Sequence, residues 1–197
     1  MERIDPGSLY DERGEVSWSR PIFQGDVFAD VLLPGFGDKP GLVQVVAHPC
    51  AMRRGLDLLS RITVAPVEPY QVVEGESWNG HLKVMPLAEL VDGKHYATKF
   101  VDVTAARSDL LTYPRRVATL SNRGIYVLQQ RLVKHYTRLE VEIAVLRRGA
   151  ASVLEEAEQQ RDWIETVLDE DEWSVSTLAE EYRAFDEWLS DGDPSRR

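Results

Sequence analysis

The sequence predicts an α+β fold: a small antiparallel β-barrel followed by a C-terminal helical module with one long helix. Three observations carry that prediction. Between residues 20 and 110, short β-branched and alternating runs recur between Gly/Pro-rich turns with no long helical stretch among them. From residue 121 the apolar residues return every three, four or seven positions, the period of a helix. The charge divides along the same line: residues 150–197 hold 15 acidic against 4 basic residues, a net of −11, whereas residues 1–149 hold 18 against 19, a net of +1. The expected organisation is a loosely ordered lead-in over 1–19, a barrel domain over 20–110 and an acidic helical module over 121–190.

Each element has its own signal. "PIFQGDVFADVLL" places Ile22, Val27, Ala29, Val31 and Leu33 in a mostly alternating pattern, a strand with one buried face. "PGFGDKPG" (34–41) is a loop, and "LVQVVAH" (42–48) is the β-branched run of a strand inside a sheet. "RITVAPV" (61–67), "HLKVMPL" (81–87) and "HYATKFVDVT" (95–104) are further strands. "YPRR" interrupts the pattern within 105–121, where the barrel is expected to end. Ser121 is a suitable N-cap for a long helix whose stripe runs through Ile125, Leu128, Leu132, Leu139, Ile143, Leu146 and Val153, with Gly149 as the expected break. That stripe either packs on the barrel or the last helix, or forms a homodimer seam. Thr177 and Glu180 fit a capping box opening a last helix over 177–189, "DEDE" (169–172) reads as a solvated link, and Pro194 with the terminal arginines as a frayed end.

Composition bounds the class. The chain has 197 residues, enough for one sizeable domain or for a small domain with a substantial appendage, and its 43% hydrophobic and 28% charged residues are ordinary for a soluble globular protein. No apolar run approaches the roughly 20 residues that span a bilayer, the first residues lack a signal-peptide core, and Cys50 has no disulfide partner in the chain. The expectation is a cytoplasmic protein without membrane contact. A net charge of −10 argues against tight nucleic-acid binding overall, but Arg53-Arg54, Arg115-Arg116 and Arg147-Arg148 leave a local basic patch for nucleic acid on the barrel.

"QGDVFADVLLPGFGDKPGLVQVVAHPC" resembles the MazF/PemK toxin type of small β-barrel: Gly25-Asp26-Val27 opens a first strand, a glycine-rich loop follows, and an aliphatic second strand ends at a polar turn. The resemblance covers residues 20–104. It implies a barrel of that kind, and a family of metal-free RNA-cutting dimers held off by a partner protein, in a bacterial toxin–antitoxin or phage-defence setting. Such toxins carry Arg-Pro before the second strand and Ser or Thr near its end. Here Lys39-Pro40 and Ala47-His48 stand instead, so the catalytic pair does not carry over.

The candidate sites follow. In "VVAHPCAMRRG", metal-free RNA cleavage would use His48 as base and Arg53 or Arg54 as the cation for charge developing on phosphorus. The plainer reading ends a strand at His48-Pro49, packs Cys50 as a small apolar group, and leaves Arg53, Arg54 and Arg61 as anion contacts. No metal site is expected, since one cysteine and the dispersed His48, His81 and His95 lack zinc-site spacing, and no cofactor is expected either. Asp26 is expected to bond backbone N–H groups in a turn. Trp163, Trp173 and Trp188 each follow a carboxylate; they either pack inward or form an acidic aromatic surface for a partner protein or for the chain's own arginines. Two functions are therefore carried forward: a non-catalytic interaction or regulatory protein whose acidic helices contact a partner or mask the barrel, and a metal-independent endoribonuclease using His48 with Arg53/Arg54.

Overall fold

The computed structural model describes residues 6–54, 57–169 and 173–192. Its strands are β1 (Tyr10–Arg13), β2 (Val27–Val31), β3 (Gly41–Val45), β4 (Arg53–Arg54), β5 (Asp57–Leu58), β6 (Arg61–Pro69), β7 (Val84–Val91), β8 (Lys94–Lys99), β9 (Thr104–Arg107) and β10 (Arg116–Leu120). Its helices are α1 (Pro49–Met52), α2 (Asn122–Thr137), α3 (Ile143–Val167) and α4 (Val175–Gly192).

Seven strands follow one another edge to edge, all antiparallel, in the order β1-β10-β2-β3-β6-β8-β7. β6 is long enough to serve two partners along one edge: Arg61–Val64 pair with β9 and Val67–Pro69 with β8. Side chains draw the two end strands together. Tyr10 Oη donates to Ala88 O at 3.0 Å and the Arg13 guanidinium to Glu89 O at 2.6 Å, so β1 meets β7 without a backbone ladder. The result is a nearly closed barrel followed by helices, an α+β fold. Among the described residues no helix is long and apolar enough to cross a membrane.

The barrel is larger than the sequence predicts at both ends. Part of the expected lead-in, Tyr10–Arg13, is a strand, and Leu9, Val16, Trp18 and Ser19 behind it are buried. The segment after "YPRR" is β10, which pairs with both β1 and β2. Both strands are short and carry charge, and long-range pairing rather than local pattern makes them strands.

The expected long helix is two helices. α2 ends at Arg138, whose left-handed backbone (φ 64°) lets its N–H reach Lys134 O at 3.0 Å. A left-handed residue at a helix end turns the chain out of the helix. Gly149, the predicted break, lies inside α3. The stripe is thus folded on itself: Ile125 and Leu128 enter the barrel core, and Leu132, Ile143, Leu146 and Val153 pack against it. A continuous dimer seam along one helix does not form.

Capping fixes where the helices start. Ser121 Oγ accepts from Gly124 N at 3.0 Å, as the sequence predicts, and donates to Ser8 O at 2.6 Å. The last helix opens at Val175, two residues earlier than predicted. Ser174 Oγ accepts from Thr177 N at 3.1 Å while Ser174 N donates to Thr177 Oγ1 at 2.7 Å, so Thr177 closes the capping box rather than opening it. Residues 170–172 of the expected "DEDE" link, and Pro194 with the terminal arginines, lie outside the described residues.

The first turn of α2 packs directly on the backbone before β1. A Cβ on Gly124 would stand 2.3 Å from Leu9 O. Alanine is the better helix former by about 1 kcal/mol at an open helical site. Gly124→Ala is nevertheless expected to destabilise the protein by about 1–3 kcal/mol through overpacking. Urea unfolding measures this, and a stabilised variant would refute the close approach.

The strand-end face beneath the helices as candidate functional site

The stretch from Val45 to Arg54 is a strand end and a histidine-capped turn. Val46 N and Ala47 N both donate to Thr63 O, at 3.1 and 3.2 Å, which closes the β3–β6 ladder. His48 is the N-cap of α1, and its Nδ1 accepts from Cys50 N at 3.3 Å. Proline at the next position suits the first helical turn. An accepting Nδ1 belongs to the neutral imidazole, and partial burial pushes the His48 pKa down toward that form. Cys50 is free and exposed.

The candidate residues separate here. His48 lines a mostly apolar cleft of about 490 Å³ with Leu132, Val133, Val145, Leu146 and Ala150, beneath α2 and α3. Neither Arg53 nor Arg54 lines that cleft. Arg53 turns the other way: its Nη2 donates to Ile22 O at 2.9 Å, and the carboxylates of Asp26 and Glu156 favour its charged form. Burial lowers its pKa, so the cation is held in partly dry surroundings. Arg54, in the β4–β5 hairpin, and Arg61, at the start of β6, are exposed. His48 and the arginines therefore do not open into one groove.

Sequence reasoning missed the most buried ionic feature of this face. Asp26 and Arg116 form an ion pair at 3.3 Å, with side chains 0% and 3% exposed. Asp26 Oδ2 also accepts from Phe23 N at 2.9 Å, the turn bond the sequence predicts. Arg116 further donates to Arg20 O at 2.8 Å and Pro21 O at 3.4 Å. Among the described residues Asp26 Oδ1 and Arg116 Nε find no hydrogen-bond partner. Burial is the larger influence on Asp26 and raises its pKa, against the lowering effects of Arg116 and Arg20. Gly25 makes the corner before Asp26 possible: its φ is 97°, and a Cβ there would meet the Leu120 side chain at 2.7 Å. No local signal joins Asp26 to a residue 90 positions away.

The helical module sits on this face. Ser19 Oγ donates to Glu165 of α3 at 2.7 Å, and Tyr182 of α4 donates to Ser19 O at 3.4 Å. Trp173 stacks on Trp18 with ring centroids 6.0 Å apart and meets Tyr113 edge-on at 5.1 Å. Trp163 packs on Phe185 and Trp188 and donates to Glu181 at 3.2 Å. All three tryptophans singled out in the sequence thus make ring contacts within the chain, and Trp188 keeps 53% of its surface exposed. Among the described residues no group of three or more His, Cys, Asp or Glu side chains is placed to hold a metal ion. Of the cations on this part of the chain, Arg53 and Arg116 are partly or fully withdrawn from solvent, whereas Arg54 and Arg61 are exposed.

No family model matches the chain, and no curated protein is significantly similar to it.

Removing one partner of a buried pair leaves the other charge unpaired. Asp26→Ala is expected to cost about 3–5 kcal/mol in urea unfolding. Asp26→Asn, which keeps an acceptor for Phe23 N, should cost less. The raised pKa fixes the sign of the pH dependence. Between the ordinary carboxylate value and the raised one, the folded state holds a proton that the unfolded chain has lost. Stability therefore falls as pH rises through that window. The stability of the wild type relative to Asp26→Asn should shrink over the same range, and a constant difference would refute the assignment.

Proposed function

We propose that the chain is a non-catalytic interaction and regulatory protein in which acidic helices mask an arginine-bearing face of a MazF/PemK-like barrel. The observation that supports this is the placement of Arg53, half-buried, bonded to Ile22 O within the barrel and in the field of the Glu156 carboxylate of α3. The charge division strengthens it, since residues from 150 onward carry a net −11 and the preceding part +1. An acidic cover over a cationic face blocks polyanion access both by occupancy and by like-charge repulsion. A partner that draws the helices away would release a face able to contact phosphates. A toxin–antitoxin or phage-defence role fits this arrangement and rests on the barrel resemblance.

The cover is held by a small number of contacts, which makes it testable in the full chain. Trp173→Ala with Tyr182→Ala removes the aromatic stack and the bond to Ser19 O. At low salt the double variant should bind single-stranded RNA about tenfold more tightly than wild type, with a steeper salt dependence, because newly exposed arginines add phosphate contacts. Faster hydrogen exchange in α4 would verify that the cover has opened. An opened cover without a gain in affinity would overturn masking. The RNA should stay intact in EDTA; cleavage that disappears in His48→Ala would instead assign the barrel a nuclease activity.

A further inference from the structure

The cleft beside His48 has a feature that the chain's own packing does not account for. Gly149 lies in the interior of a 25-residue helix and lines the cleft, yet a Cβ built on it would meet nothing within 4 Å among the described residues. Glycine is among the poorest helix formers, and the absence of a side chain lets another body approach the backbone closely. The cleft is open and mostly apolar, Val145 in its lining is 47% exposed, and Tyr136 at 62% and Leu139 at 64% are further exposed hydrophobic residues near the α2–α3 turn. Helical geometry puts the exposed Arg147 and Arg148 to either side of the face formed by Val145, Leu146, Gly149 and Ala150.

The same chain carries a complementary surface. Trp188 projects from an aromatic cluster with Trp163 and Phe185 near the end of α4, and it is half-exposed. Asp186, Glu187 and Asp191 surround it in sequence. We propose that the His48–Gly149 cleft receives the Trp188 end of α4 from a second copy of the chain. An aromatic side chain against the Gly149 backbone would fill the apolar floor, and its acidic neighbours would meet Arg147 and Arg148. A buried aromatic anchor in a pocket with a charged rim is the usual energetic layout of a protein interface. Because cleft and knob are different patches, the contact is heterologous. Two copies exchanging α4 ends close into a dimer, and one-way contacts extend into chains.

Three proteins test this: wild type, Trp188→Ala, which lacks the knob, and Gly149→Met, which fills the cleft with a good helix former. Gly149→Met should remain folded with an unchanged or higher Tm. Sedimentation velocity over a concentration series should show wild-type self-association that weakens with added salt. Each variant alone should lose it by tenfold or more in affinity. Mixing the two variants should restore a 1:1 complex, because each retains the surface that the other lacks. A wild type that is monomeric at every concentration, association unchanged by either variant, or a mixture that stays as dissociated as its components would each overturn the proposal. The test does not depend on RNA binding, so it succeeds or fails separately from masking.

Discussion

The ion pair between Asp26 and Arg116 organises everything built above the barrel. Its two side chains come from opposite ends of the barrel sequence and meet with almost no exposure to water. Desolvating two charges costs several kcal/mol per ion, and the pair recovers this only with further hydrogen bonds. Arg116 supplies them by donating to Arg20 O and Pro21 O. Those two carbonyls belong to a segment that is neither strand nor helix, so the guanidinium does there what a ladder does elsewhere. From that segment Ile22 O holds Arg53, and Trp18 and Ser19 receive Trp173, Glu165 and Tyr182. The seat of the helical module is thus assembled on one buried cation.

What sits on that seat is held less firmly than the barrel. α2 buries seven of its residues, whereas α3 buries four over 25 residues. Among the described residues of α4, Phe185 is the buried hydrophobic one. The net −11 from residue 150 onward adds self-repulsion. A helix with little buried apolar area and mostly side-chain contacts belongs to the low-stability end of a fold, where regulated elements are found. A cover that must move and a barrel that must persist are therefore consistent with the same sequence.

Strands such as Val27–Val31, Gly41–Val45 and Arg61–Pro69 were legible because they alternate or run β-branched between Gly and Pro. The single strand expected over 95–104, however, is broken by a turn at Phe100–Asp102, with β9 beginning at Thr104, and the short β4 and β5 carried no signal. Tyr10–Arg13 and Arg116–Leu120 were not legible as strands, since each is four or five residues long and gains its conformation from a partner more than 100 positions away. Propensity puts the helix break at Gly149, but the turn forms at Arg138, where an arginine accepts a left-handed backbone. Tertiary packing of the stripe against the barrel outweighed the local preference. At the site, the turn role of Asp26 and the strand-end role of His48 were readable from neighbouring residues. The Asp26–Arg116 pair and the seating of Trp173 on Trp18 were not, because both join distant parts of the chain.

Native-state hydrogen exchange over a series of subdenaturing urea concentrations tests the account most directly. If the helices are a releasable cover, amides of Val175–Gly192 and of the C-terminal half of Ile143–Val167 exchange through an opening of lower free energy than the amides of β3, β6 and β10. That opening would also raise exchange around Arg53 without touching the barrel ladders. Exchange of the last helix only together with global unfolding of the barrel would contradict it, and the helices would then be a fixed part of one cooperative core.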